Sequence, residues 1–323
     1  KSLKGFPYPP KNVKVVKGQE VEIEEWDNEG NAKELSKAVL SLYKENNSDP
    51  ERIKLPSPLC EEEPFRNQSR DALCTGTLIA PDIVLTASHC LKSNSQCKGF
   101  VWKFDYPGEE SKKKSYHCSH LIRSKDYYQN KGLDFVFVKL TEPVLDRNPI
   151  SLDEGVQHIE FFEKEKIFAI GNPSGFPLKV MKGEVTEKNE EEVFFKTNID
   201  SYRGNSGAPI FTQKESRLIG LLISGEKDFE FDSLRKCYYS KKCLESDDSV
   251  CLGEKAISIS KVRESYKWIL EEKNKLGKKL FKNFDSFEKA CLSEELDSKS
   301  RYVLSLLEEK TRSQNCETIN SRL

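Results

Sequence analysis

Between residues 38 and 224 the chain is a series of short apolar runs broken by turn residues. Residues 38–43, 72–80, 82–85, 100–104 and 135–140 form a first group of runs. Residues 167–171, 179–186, 192–197, 208–211 and 218–224 form a second. Runs this short, with Gly, Pro, Asn or Asp between them, have the length of strands, so the chain reads as mostly β. Residues 14–23 alternate and could add a further strand, and 143–155 read as a linker between the two groups. Helical spacing enters near the C-terminus. Val262, Tyr266, Ile269 and Leu270 recur on one face and predict a helix over residues 260–273. Leu280, Phe284 and Phe287, then Val303, Leu306 and Leu307, predict two further helices.

Composition narrows the class. The 323 residues hold 52 Lys and Arg against 53 Asp and Glu, a net charge of −1. No basic excess argues for nucleic acid or an anionic membrane, and none of the apolar runs nears the ~20 residues that span a bilayer. Ten cysteines are dispersed rather than set in C-x-x-C pairs. An even, dispersed count reads as a disulfide framework in an oxidising compartment. His117 and His120 flank Cys118, but no third ligand is evident, so they read as solvated strand-end histidines. No metal and no cofactor is expected. Residues 228–253 read as an irregular insertion stapled by disulfides. With no secretory leader at its start, Lys1 is expected to begin a processed or trimmed chain.

The chemistry concentrates in DSYRGNSGAPIF, residues 200–211. Ser206 stands in a Gly-flanked turn, where glycine permits a tight backbone and leaves the hydroxyl exposed. The N–H groups of Gly204 and Ser206 can converge there on an oxyanion. His89 follows an apolar strand in TASHC, and Asp134 opens the alternating run DFVFVKL. A histidine, an aspartate and a Gly-flanked serine are what a general base, its orienting carboxylate and a nucleophile require.

Five stretches carry a family resemblance: CTGTLIAPDIVLTASHC (residues 74–90), LDFVFVKL (133–140), IGNPSGFPLK (170–179), NIDSYRGNSGAPIF (198–211) and IGLLISGEKDF (219–229). In this order they resemble the chymotrypsin/trypsin superfamily of serine endopeptidases, in its secreted bacterial branch near the glutamyl endopeptidases. The resemblance implies two six-stranded antiparallel Greek-key barrels and a C-terminal helix; the extra helical tail read from the spacing is a departure from that pattern. The expected domains are an N-terminal arm or propeptide remnant (1–34), a first barrel with His89 and Asp134 (35–145), a second barrel with Ser206 and the C-terminal helix (146–273), and a helical extension (274–323). That extension docks on the barrels or on a partner protein.

The resemblance also implies roles. His89, Asp134 and Ser206 would be catalytic, with the oxyanion hole at Gly204 and Ser206. Asp200 and Ser201 would line the specificity pocket and Gly225 would leave its mouth open, implying cleavage of protein or peptide substrates after Arg or Lys. No histidine occupies the strand after Ser206 near Leu222, which disfavours cleavage after Glu. Cys74–Cys90 and Cys97–Cys118 are expected to pair, as are Cys291 and Cys316. Cys60, Cys237, Cys243 and Cys251 remain open, with one of the last three a partner for Cys60. Asn205 stands where animal trypsins have an aspartate, so activation is expected not to use a salt bridge to a new N-terminus. The expected setting is secreted or periplasmic. The competing readings are a protease-like binding protein with catalysis suppressed and an endopeptidase of different pocket specificity.

Overall fold

The computed structural model describes residues 20–22, 31–45, 56–105, 114–123, 133–152, 161–188, 193–225, 228–241 and 253–283. Contacts divide the chain between Val262 and Arg263. A short strand β1 (Glu20–Glu22) and a helical turn α1 (Ala32–Ser36) precede the first barrel.

That barrel is built from β2 (Val39–Lys44), β3 (Cys74–Ala80), β4 (Ile83–Thr86), β5 (Phe100–Lys103), β6 (Tyr116–Ile122) and β7 (Val136–Leu140), closed in the order β2-β3-β4-β7-β6-β5. All its pairings are antiparallel. Strand side chains alternate between faces. Leu40 and Leu42, Leu78, Val84, Trp102, Tyr116 and Val136 and Val138 accordingly meet in one buried cluster. A short helix α2 (Asn94–Lys98), capped by the Ser93 hydroxyl, lies between β4 and β5. Cys97 in that helix is joined to Cys118 in β6.

The second barrel closes in the order β8-β9-β10-β15-β12-β11 and back to β8, again antiparallel. Its members are β8 (Lys166–Gly171), β9 (Lys179–Lys188), β10 (Phe194–Thr197), β11 (Pro209–Thr212), β12 (Leu218–Ser224) and β15 (Glu254–Ser258). Phe168, Ile170, Val180, Phe195 and Ile210 are fully buried in it. β1 joins as an outer strand, pairing Glu20–Glu22 with the start of β9. The two barrels are the expected architecture, although the sixth strand of the second was not anticipated. Glu254–Ser258 follows a long polar segment, and its short alternation is obscured by two charged residues at its start.

Two further expectations are corrected. Residues 228–241 are not irregular: β13 (Phe229–Asp232) and β14 (Cys237–Ser240) form a hairpin. Asp232 Oδ1 accepts the N–H groups of Leu234 and Arg235 at 2.9 Å each, closing the turn. Phe231 and Tyr238 face each other across it at 4.9 Å, and Cys237 is tied to Cys60. His120, expected in solvent, is buried in β6. Burial pushes its pKa down to about 4, with Lys139 adding to that and Asp82 opposing it.

The C-terminal helix α3 runs over 25 residues, Ile259–Asn283, past the expected stop at Lys273. Residues 1–19 and 284–323 lie outside the described residues, and with them most of the arm, the rest of the helical extension and the Cys291–Cys316 pair. Cys243 and Cys251 also lie outside.

Candidate active site

β4 and β7 are neighbours, with Thr86 opposite Val136. In an antiparallel pair this register brings the residues just after Thr86 beside those just before Val136. His89 sits in the 3-10 turn Ser88–Cys90 that leaves β4, and the Cys74–Cys90 disulfide ties that turn back to β3. Asp134 meets it there. His89 Nδ1 lies 2.6 Å from Asp134 Oδ2. The His89 backbone N–H donates to Asp134 Oδ1 at 3.0 Å, and the Ser88 hydroxyl donates to the same oxygen at 2.7 Å. Burial acts to raise the Asp134 pKa, but the His89 ring, the Ser88 hydroxyl and the backbone donor together hold it below the usual carboxylate value. An ionised Asp134 fixes the proton on Nδ1 and leaves Nε2 free to act as a base.

Ser206 comes from the other barrel. Its loop leaves no room for side chains at two points. Gly204 has φ +106°, and a Cβ there would lie 2.3 Å from the Asn172 carbonyl oxygen. Gly207 has φ +89°, and a Cβ there would lie 2.1 Å from the Thr75 carbonyl oxygen. The loop is closed by Asn205 N–H donating to Tyr202 O at 3.0 Å and is anchored on β12 by Gly207 N–H donating to Leu222 O at 2.8 Å. Among the described residues, no hydrogen bond uses the N–H of Gly204 or of Ser206. Both remain available to an incoming oxygen.

Thr75, on β3 of the first barrel, holds this loop in place. Its N–H donates to Ser206 O at 2.9 Å and its hydroxyl donates to Gly204 O at 2.9 Å. The hydroxyl oxygen also accepts Asn172 N–H at 3.1 Å, and Thr75 O accepts the Thr86 hydroxyl at 2.7 Å. Asn205 is fully buried, its amide nitrogen 3.0 Å from Met181 Sδ and 3.4 Å from Ser201 Oγ.

His89, Asp134 and Ser206 line one cavity of about 570 Å³. Among the described residues no hydrogen bond joins Ser206 to His89, the common state of such sites before substrate arrives. Ser201, Gly225 and Asp228 line the same cavity. Asp200 is buried at 1% exposure and is not part of the lining. The room beside Gly225 is not open. The Glu254 carboxylate fills it, with Oε2 only 1.7 Å from where a Cβ at position 225 would stand. Glu254, Thr75, Ser88 and Asn172 all escaped the sequence reading. Ser88 and Thr75 adjoin residues that were singled out. Glu254 stands 16 positions or more along the chain from every other wall residue, and nothing in its local sequence marks it.

Cys74, His89 and Cys90 bring ligand atoms within 4.8 Å of one another, but the two sulfurs are bonded together and Nδ1 faces Asp134. His117 and His120 do not converge either: His117 lies beside Glu45, 3.6 Å away, and His120 points its Nδ1 at Ser119. The three disulfides suggest an oxidising compartment. No helix among the described residues is long and apolar enough to cross a membrane.

Among solved structures, the chain is similar to the VesB protease of Vibrio cholerae at 12% identity, covering 77% of this chain and 66% of that one, with a TM-score of 0.48. It thus spans just under two thirds of that protein. Human heparin binding protein is similar at 13% identity, over 80% of this chain and 97% of that one, with a TM-score of 0.48. Residues 74–221 match the trypsin-like peptidase domain, and together with the paired barrels this match supports the trypsin/chymotrypsin superfamily and suggests a peptidase.

Proposed function

We propose that this chain is a secreted serine endopeptidase that cleaves peptide bonds after Arg or Lys. The observation that carries the reading is the 2.6 Å contact of Asp134 with His89 on the wall of the cavity that Ser206 also lines. In the reaction, Ser206 Oγ attacks the peptide carbonyl carbon while His89 Nε2 takes the hydroxyl proton. The Gly204 and Ser206 N–H groups receive the developing oxyanion. The C–N bond then breaks, and the imidazolium returns the proton to the leaving amine. Water, deprotonated by the same imidazole, releases the acid and restores Ser206. Asp134 keeps the ring in one tautomer and stabilises its charged form.

The preference for a cation is supported by the carboxylates of Asp228 and Glu254 on the cavity wall, added to that of Asp134. The test is labelling by a fluorophosphonate. The label is expected on Ser206 in the parent chain and nowhere in Ser206→Ala; labelling that persists in the variant places the nucleophile elsewhere. A peptide panel cut only after acidic or aromatic residues refutes the basic preference. The rival reading is a binding protein with catalysis suppressed, in which Ser206 takes no label. Fluorophosphonate labelling decides between the two.

A further inference from the structure

We propose that Glu254, not Asp200, is the carboxylate that receives the cationic side chain of the substrate. This inference rests on the endopeptidase reading for the nature of the cation's owner, but its geometry stands apart from the catalytic residues. Glu254 opens β15, where it is held between two strands: it pairs with Thr197 of β10, and the next residue, Lys255, pairs with Ser224 of β12. The backbone under this carboxylate is therefore part of the barrel and not of a loop. The residue is 2% exposed, yet it contributes to the wall of the cavity that His89 and Ser206 share.

Its position is set by a glycine. The two carboxylate oxygens would lie 1.7 and 2.6 Å from a Cβ at position 225, so only Gly225 lets the group come through beside the strand end and reach the cavity. Gly225 thus serves to admit a charge, where the sequence suggested an open mouth. Asp200 occupies the sequence position that the resemblance assigns to this duty, but it is not part of the cavity wall, and its neighbour Ser201 takes the place on the lining. A carboxylate on the wall of that cavity is complementary to a cation that enters it, and an ammonium or guanidinium at the end of a flexible stem can reach it there. The class of substrate is then a peptide with Lys or Arg entering this cavity, and the contact it makes is with β15 rather than with the loop before Ser206.

The experiment separates this contact from catalysis. Binding of benzamidine, a planar cation that needs no turnover, is measured by calorimetry on the full chain, alongside binding of neutral benzamide. The parent is expected to bind benzamidine at least ~100-fold more tightly than benzamide. Glu254→Gln is expected to lose ~100-fold in benzamidine affinity, about 2.7 kcal/mol at 1.36 kcal/mol per tenfold, and Asp200→Asn to stay within about threefold of the parent. Glu254→Asp keeps the charge on a shorter stem and is expected to fall between. Equal affinity in the parent and Glu254→Gln, or loss in Asp200→Asn instead, overturns the proposal. Should Glu254→Gln not fold, the parent's charge discrimination together with Gly225→Ala, which pushes the carboxylate aside, carries the same decision; unaltered benzamidine binding in Gly225→Ala overturns it. Fluorophosphonate labelling is read in parallel. A chain that binds benzamidine through Glu254 but takes no label sinks the endopeptidase reading and leaves the carboxylate assignment standing.

Discussion

The two barrels contribute to the site in different ways. The first supplies a histidine and the carboxylate that holds it, from the ends of two paired strands, fixed by one register and one disulfide. The second supplies a loop held from outside, by Thr75 of the first barrel, and a cavity wall collected from β12, the β13–β14 hairpin and the start of β15. A pair made by adjacent strands is settled once the sheet closes. A wall made by three segments depends on each of them, and on what ties them.

The sharpest way to break this comparison is at Asp134. Asp134→Asn keeps the shape but reverses what the side chain asks of the imidazole, since an amide offers Nδ1 a donor as readily as an acceptor. We expect kcat for a peptide ester to fall by ~10⁴ with KM little changed. Thermal unfolding at neutral pH should move far less than activity does. A loss below tenfold means that the first barrel's dyad does not drive the chemistry.

This contrast also explains what the sequence disclosed. His89 and Asp134 were legible because each sits within a few residues of a recognisable strand, and Ser206 because two glycines bracket it. The barrels were legible for the same reason, through short alternating runs. What escaped depends on contacts between segments far apart in the chain. β15 begins with two charged residues, and only its pairing with β10 and β12 makes a buried strand of them. The β13–β14 hairpin was missed because its turn is held by one Asp side chain, and the disulfide at Cys237 beside that turn runs to a residue 177 positions away. His120 looked solvated because its cover comes from pairing with β7, where Lys139 stands opposite it, and nothing in its local sequence marks that.

The hairpin offers the next test. Replacing Cys60 and Cys237 together by alanine removes the long-range cross-link and is expected to lower stability by roughly 4 kcal/mol. The Cys74–Cys90 side of the site stays clamped. The double variant should therefore still label at Ser206 at low denaturant while losing selectivity among peptides. Equal loss of labelling and selectivity, measured along one urea titration, would mean that the two halves of the site do not separate.

His120 tests the first barrel's rigidity through pH. Its folded pKa lies near 4, below the ordinary value of 6.5, because burial disfavours the charged form. The unfolded chain takes up the proton as pH falls through 6.5 and the folded chain does so only near 4. Stability should thus be complete above 6.5 and decline between 6.5 and 4, by about 3 kcal/mol from this group. Asp134 acts in the same direction lower down: its depressed pKa gives stability that is present above the unfolded carboxylate value and lost as pH falls through the folded one. His120→Asn should flatten the upper part of the slope, read from urea midpoints across that range. An unchanged slope would mean that the ring is hydrated.

The smallest effect is expected at the tie between the barrels, and it is the most informative about how they cooperate. Thr75→Val keeps the shape of the side chain and removes the hydroxyl that donates to Gly204 O and accepts from Asn172 N–H. The Thr75 N–H to Ser206 O bond remains, so the loop should stay near its position but with less restraint on the Gly204 peptide. Because Gly204 also carries, on its preceding peptide, one of the two proposed oxyanion donors, the expected result is about a tenfold fall in kcat with KM held, as small displacements of a donor act on the transition state first. Thr75→Ser restores the hydroxyl and should restore kcat. If the serine variant is as slow as the valine variant, the methyl packing and not the hydroxyl positions the loop, and the first barrel's hold on the second is steric rather than polar.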